Sequence, residues 1–159
     1  MLYFTAVAQC TFYTLFQALE NIGLLTDSKV LSPALAARID RTGTVGSTAS
    51  VYKYSYRAWL CGVLCDFVRL AREAQLERAR RAERVGGQKS GMELVREREQ
   101  NEAVDAKWWR EMVVPLSWTP VAVHFATESG VPGFNLGWMG ALGGMAGLGK
   151  FADVWASTK

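Results

Sequence analysis

The chain has 159 residues, half of them hydrophobic, and a formal net charge of +3 at pH 7. This length suits a single domain, and the small net charge argues against nucleic acid as a partner. Three cysteines cannot form a closed set of disulfides, which argues against a secreted disulfide scaffold. Charge is concentrated in one block, residues 72–107, and the rest of the sequence is unusually apolar. We therefore predict a single all-α domain over residues 1–159.

The first predicted element is an apolar helix over residues 2–22. Residues 2–19 carry no charge, and their aromatic side chains spread around the whole helical wheel. A helix that is apolar on every side is buried in protein or lies in lipid, and this length is marginal for a membrane span. Gly23 is expected to end the helix. Because the chain opens inside an apolar segment, we interpret it as a fragment or a truncated gene model.

A short second helix is predicted over residues 33–41. Ser32 can cap its first turn and Pro33 suits the first helical position. Gly43 and Gly46, among Thr and Ser residues, mark the loop that follows.

The third predicted element, residues 47–84, starts as an amphipathic helix. Its apolar arc contains Trp59, Leu60, Val63, Leu64, Phe67 and Leu70. Its other arc contains Arg57, Cys61, Cys65, Arg69 and Arg72. The uncharged part is too short to span a bilayer, so we predict a helix that lies in a membrane interface. In that position Arg57, Trp59, Arg69 and Arg72 would meet lipid; an ordinary core helix of a soluble bundle is the alternative.

The charged block, residues 72–107, predicts two polar helical arms that project into water. Oppositely charged residues three or four positions apart, such as Glu77 and Arg81, support solvated helices. Glycines at 86, 87 and 91 interrupt the block and predict a hinge. The basic cluster of this block, Arg78, Arg80, Arg81 and Arg84, either touches anionic lipid headgroups or forms a solvated face.

A charged helix that leads into a kinked apolar segment is predicted over residues 92–127. Trp108 and Trp109 mark a return to a membrane boundary, as aromatic belts do. Residues 112–127 carry no formal charge, and Pro115 and Pro120 are expected to kink or break this segment.

The last predicted element, residues 133–156, is a glycine-rich membrane helix. Residues 129–149 contain no charge and are long enough to cross a bilayer as a helix. Glycines four positions apart allow two helix backbones to approach closely in lipid. The predicted packing face comprises Gly133, Gly137, Gly140, Gly143, Gly144 and Gly147. Trp155 is expected to lie at the water interface, and a glycine-rich loop under a soluble domain is the alternative.

The sequence offers little for catalysis. His124 is the only histidine, and its apolar neighbours favour a packed role. Cys61 and Cys65 lie near arginines that could lower a thiol pKa, but two cysteines make a poor zinc site. Asp66 could join helices as a polar contact or face water. We predict no enzyme activity, no cofactor and no metal.

Several short tracts resemble the peroxisomal biogenesis factor 11 family, which are membrane proteins of peroxisomes. The similar tracts are an apolar first helix that closes on residues 19–21, the stretch from Arg57 to Gly62, the Val114–Ser117 segment, the long charged middle and the glycine-rich end that closes on Trp155. Members of the family self-associate, elongate the membrane before division and control peroxisome number and size. They usually carry an amphipathic helix ahead of the part that is matched here.

The resemblance implies a peroxisomal membrane protein that promotes proliferation and fission without catalysis. Its expected partners are the lipid bilayer, further copies of itself or related family members, and membrane-division factors. Two alternatives stay open, a soluble helical interaction domain and a membrane pore for small metabolites. The polar side chains that could line such a pore are Thr11, Thr14, Gln17, Ser117, Thr119 and His124.

Overall fold

The computed structural model describes residues 1–39, 48–84 and 90–158. In these ranges all regular secondary structure is helical, which confirms the all-α class. The five helices there are α1 (Leu2–Asp27), α2 (Pro33–Ile39), α3 (Ala49–Arg84), α4 (Gly91–Ala126) and α5 (Leu136–Ser157). The loop glycines at 43 and 46 and the hinge at 86–87, as well as the predicted ends at 41 and 47, lie outside the described residues.

The long helices form an open antiparallel layer in the order α1, α3, α4, α5. Helix α3 packs against α1 on one side and α4 on the other, and α5 packs against α4 alone among the described helices. Ser55 Oγ on α3 donates to the carbonyl of Phe16 on α1 at 3.2 Å. Arg57 on α3 donates to the carbonyl of Ala126 at the end of α4 at 3.1 Å. Helices α3 and α4 are longer than α1 and α5. The end of α3 and the start of α4 continue past the outer helices as a paired arm.

The core of this layer is small and lies along α3 and α4. Its buried hydrophobic residues are Val51, Val63, Leu70, Val121, Ala122, Ala126 and Ala146. Only the last of these belongs to α5. A thin core of small and branched side chains follows from the layer architecture, because each outer helix has one covered face.

Helix α1 continues through Gly23 to Asp27, so the expected stop at Gly23 is wrong. Gly23 allows close packing against a neighbouring helix and does not end α1. A Cβ built at Gly23 would lie 2.8 Å from the Tyr52 ring, and one at Gly62 would lie 2.9 Å from the Tyr13 ring. Both glycines therefore let an aromatic ring of the neighbouring helix approach the backbone.

Helix α4 runs as one element through Pro115 and Pro120, so neither proline breaks it. Pro115 is buried. The chain then turns, and α5 begins at Leu136, three residues after the predicted start. Gly133 lies before the helix with φ of 78° and therefore belongs to the turn, not to a helical face.

Within the described residues, no helix is both long and apolar enough to cross a membrane. The crossing predicted for the glycine-rich segment is therefore not found.

Candidate membrane and partner interface

The outer face of α5 carries three of the six predicted packing glycines. Beside the buried Ala146, Gly143 turns inward, since a Cβ there would meet the Trp118 ring of α4 at 3.6 Å. At Gly140, Gly144 and Gly147 a Cβ would meet no described atom within 4 Å. These three glycines recur at helical spacing, so α5 has a flat strip on the side away from α4.

Large apolar side chains continue this strip toward the end of α5. Leu148, Phe151, Val154 and Trp155 are all exposed, and Trp155 retains 59% of its accessible surface. The rings of Phe151 and Trp155 stack with centroids 6.1 Å apart. The predicted interface position of Trp155 thus coincides with an exposed aromatic pair beside the glycines. We call this surface, from Gly140 to Trp155, the α5 face.

The turn between α4 and α5 fixes the direction of α5. His124 Nδ1 accepts a hydrogen bond from the backbone N–H of Val131 at 2.9 Å, and its ring lies 4.9 Å from that of Phe134. Gly130 has φ of 66°, and a Cβ there would lie 2.7 Å from the imidazole. His124 therefore has a packing role in this turn, as its apolar neighbours predicted.

The opposite edge of the layer, the outer side of α1, also carries exposed apolar side chains. Tyr3 and Phe4 each retain 74% of their accessible surface, and Val7 and Leu15 are also exposed. We call this surface, from Tyr3 to Leu15, the α1 face. The layer thus ends in an uncovered apolar helix face on both sides.

Trp59, predicted to meet lipid, belongs to an aromatic cluster that joins α1, α3 and α4. It stacks on Phe16 with centroids 5.8 Å apart and meets Trp118 edge-on at 5.6 Å. Tyr56 stacks on Phe125 at 4.9 Å and extends the cluster along α4. These rings fix the register of the three helices, which is a role that the helical wheel did not predict. The signal that could have identified Trp118 as part of this cluster is its position in the uncharged segment 112–127.

Arg57 and Arg69 make contacts within the layer. The Arg57 contact with Ala126 satisfies a last-turn carbonyl of α4 and places a cation at the negative end of that helix. Arg69 bonds to Glu111 at 2.9 Å, to Glu73 at 3.0 Å and to Asp66 at 3.4 Å. Burial alone would lower the pKa of Arg69, but the hydrogen bonds to Glu111 and Glu73 raise it. Arg69 is therefore charged and held between α3 and α4.

The remaining predicted interface residues divide into inner and outer positions. Trp108 donates its indole N–H to the carbonyl of Leu70 at 2.9 Å and so joins α4 to α3. Trp109 retains 62% of its surface and packs edge-on against Trp108. Arg72 bonds to Gln75 on its own helix. Among these, Trp109 is the exposed aromatic.

The basic cluster of the charged block is also divided. Arg81 forms two hydrogen bonds to Asp105, at 2.8 and 3.0 Å, and a third to Glu77 at 3.1 Å. These bonds hold the pKa of the Asp105 carboxyl below its ordinary value. The side chains of Arg78, Arg80 and Arg84 are exposed. One arginine of the cluster thus joins the two helices of the arm, and three face outward.

Burial makes the Cys65 thiol a poor nucleophile. Cys61 and Cys65 are free and half-buried, and burial, with Cys61 and Asp66 nearby, raises the pKa of Cys65. This shift disfavours the nucleophilic thiolate. In the described ranges no group of His, Cys, Asp or Glu side chains is arranged to hold a metal ion.

Of the six polar side chains considered for a pore, four bond to backbone groups, and Gln17 bonds to the Glu20 side chain. Ser117 donates to the carbonyl of Val113, and Thr119 donates to that of Pro115. Thr11 does the same with Val7. These contacts give no support to a conducting pathway.

Comparisons with protein-family models, with curated proteins and with solved structures find no match to this chain.

Proposed function

We propose that the chain is a non-catalytic protein of the peroxisomal membrane that promotes proliferation and fission by binding lipid and associating with further copies. The observation that carries this proposal is its surface. The accessible surface is 11051 Å², whereas a compact monomer of 17.6 kDa has about 7,900 Å². Part of this extra surface consists of large hydrophobic side chains that are exposed on α1 and α5, which a membrane or a partner chain would cover.

The location of the apolar surface supports both kinds of partner. The α1 face and the α5 face lie at the two edges of the layer, where neither has a described neighbour. Exposed apolar patches of this kind are typical of membrane or protein interaction sites. Helices that lie along the bilayer surface, with apolar side chains in the headgroup boundary, fit the short apolar stretches of this chain.

The glycine strip supports self-association through α5. Small residues at i, i+4 and i+7 let two helices approach closely, and van der Waals contact along the strip then stabilises the pair. Oligomers of such wedge-like layers would change membrane curvature or recruit division factors. The peroxisomal location rests on the resemblance of the tracts at 19–21, 57–62 and 114–117.

Vesicle flotation and crosslinking test this proposal. We expect the full chain to float with liposomes and to resist alkaline extraction, and a fluorescent fusion to colocalise with peroxisomes. A chain that stays monodisperse in buffer and remains in the soluble fraction contradicts membrane binding and favours the soluble interaction domain.

A matched pair of variants tests the glycine strip. Gly140→Ile combined with Gly144→Ile should abolish crosslinked oligomers, because two branched side chains would separate the helices. Gly91→Ile on the arm, where a Cβ also meets no described atom within 4 Å, should leave them unchanged. Oligomers that survive in the double variant would remove the α5 face from the proposal.

A further inference from the structure

A groove of about 670 Å³ opens between the two edge helices, with α3 and α4 as its floor. Helices α1 and α5 form its opposite walls but do not pack against each other. The volume lies within the range of small-molecule sites. We call it the four-helix groove.

The floor of the four-helix groove is apolar and aromatic. It contains Trp59 and Val63 from α3 and Val114, Pro115 and Trp118 from α4. Trp59 and Trp118 both line the groove and meet edge-on, with ring centroids 5.6 Å apart. Such a pair can accept a planar ring by offset or edge-on stacking.

The side of the groove where α4 meets α5 supplies positive charge. Arg110 and Lys150 line the groove, and neither has a carboxylate partner within 4 Å in the described ranges. They lie across the same helix contact. Two turns along α4 from Trp118 lead to Arg110, and two turns along α5 from the facing Gly143 lead to Lys150.

The other charges of the groove limit how much negative charge a ligand can carry. Arg69 is neutralised by Asp66 and Glu111, and Lys107 lies 3.8 Å from Glu111. Asp153, which also lines the groove, opposes one of the two free cations. A single negative charge is therefore complementary, whereas a multiply charged group would meet these carboxylates.

We propose that the four-helix groove binds a small aromatic carboxylate. Its ring stacks on Trp59 and Trp118, and its carboxylate lies between Arg110 and Lys150. Charge-assisted hydrogen bonds to these cations supply orientation, and the apolar floor supplies contact area. This inference is independent of the membrane proposal, which stands or fails by flotation and crosslinking.

Titration calorimetry of the full chain with 2-naphthoate tests the charged wall, with neutral 2-naphthamide as the matched probe. Arg110→Gln with Lys150→Gln should weaken naphthoate binding by about tenfold or more and leave the amide unchanged. Arg78→Gln with Arg84→Gln, a matched double change on the arm, should alter neither. Equal affinity for both probes, or naphthoate affinity that survives in the groove variant, overturns the proposal.

A second pair of variants tests the location without altering charge. Gly149 lines the groove, and a Cβ there meets no described atom within 4 Å, so Gly149→Leu fills the space without a clash. Gly91→Leu adds the same side chain at the start of the arm, away from both the groove and the α5 face, where the space is also open. Naphthoate binding should be lost in the first variant and kept in the second. Loss in both variants, or in neither, contradicts a site in the four-helix groove.

Discussion

Close contact between a backbone and an aromatic ring makes Gly62 sensitive to any side chain. Gly62→Leu should lower the free energy of unfolding by about 1–3 kcal/mol, because the Tyr13 ring and α1 must move to admit it. Gly91→Leu is the control, since Gly91 has open space and lies at the exposed start of α4. It should change stability by less than about 0.5 kcal/mol. Urea unfolding of both variants measures the difference, and equal losses would contradict the packing role of Gly62.

The ion pair between Arg81 and Asp105 gives the arm a predictable pH dependence. Hydrogen bonds from Arg81 hold the pKa of Asp105 below its ordinary value of 3.8. The unfolded chain therefore binds the proton more readily, and the pair's contribution is present above this ordinary value and is lost as pH falls below it. The contribution is small because the carboxyl is exposed.

Asp105→Asn tests this pH dependence. The thermal midpoint of the variant should lie below that of the unmodified chain at about pH 6, and the difference should shrink toward about pH 3. Glu99→Gln is the control, because Glu99 lies on the same arm and makes no ion pair or hydrogen bond within the described ranges. Its thermal midpoint should match that of the unmodified chain at both pH values. A difference that stays constant with pH would show that Asp105 acts by packing instead of charge.

At the scale of single helices, the N-terminal cap of α5 determines where the glycine-rich segment becomes helical. The side chain of Asn135 accepts hydrogen bonds from the backbone N–H groups of Gly137 and Trp138, at 2.9 and 3.1 Å. Asn135→Ala should destabilise this helix end by about 1 kcal/mol, and Asn135→Asp should restore it. Hydrogen exchange at Gly137 and Trp138 measures the effect. Equal protection in the two variants would mean that the cap contributes nothing to α5.

The five helices were predictable because their signals are local. Ser32 and Pro33 marked the start of α2, and the periodicity around Trp59 marked α3. The bounds of α1 and the continuity of α4 depended on neighbours. Gly23 lies against the Tyr52 ring, and Pro115 is buried within α4. Propensity alone cannot supply such tertiary compensation.

The candidate surfaces were only partly predictable, for a similar reason. Helical spacing predicted one face of six glycines. The structure leaves Gly140, Gly144 and Gly147 open, turns Gly143 toward Trp118 and places Gly133 in the preceding turn. Spacing could not show that Trp59 and Arg69 would contact α4, because both sides of an amphipathic helix look equally available before a partner is known. The four-helix groove is formed by residues from four helices, so no single segment of the sequence could predict it.

At the scale of the whole molecule, the layer order makes the two edge helices unequal. Helix α1 covers the inner helix α3 along much of its length and contacts it at Ser55 and Gly62. Among the described residues, helix α5 contacts α4 alone and contributes only Ala146 to the buried hydrophobic core. Loss of either edge therefore has a different consequence for the remaining helices.

Two truncations test this asymmetry. Removal of residues 130–159 should keep a cooperative thermal transition and shift its midpoint by no more than about 5 °C, equivalent to roughly 1–2 kcal/mol, because the contact between α3 and α4 retains its core. Removal of residues 1–28 should abolish the cooperative transition, since Gly62, Ser55 and the Trp59 ring would all lose their partners on α1. Circular dichroism melts in the same buffer or detergent measure both. If the two truncations lose equal stability, the molecule is a closed bundle in which every helix supports every other, and the open layer with two available faces is the wrong description of it.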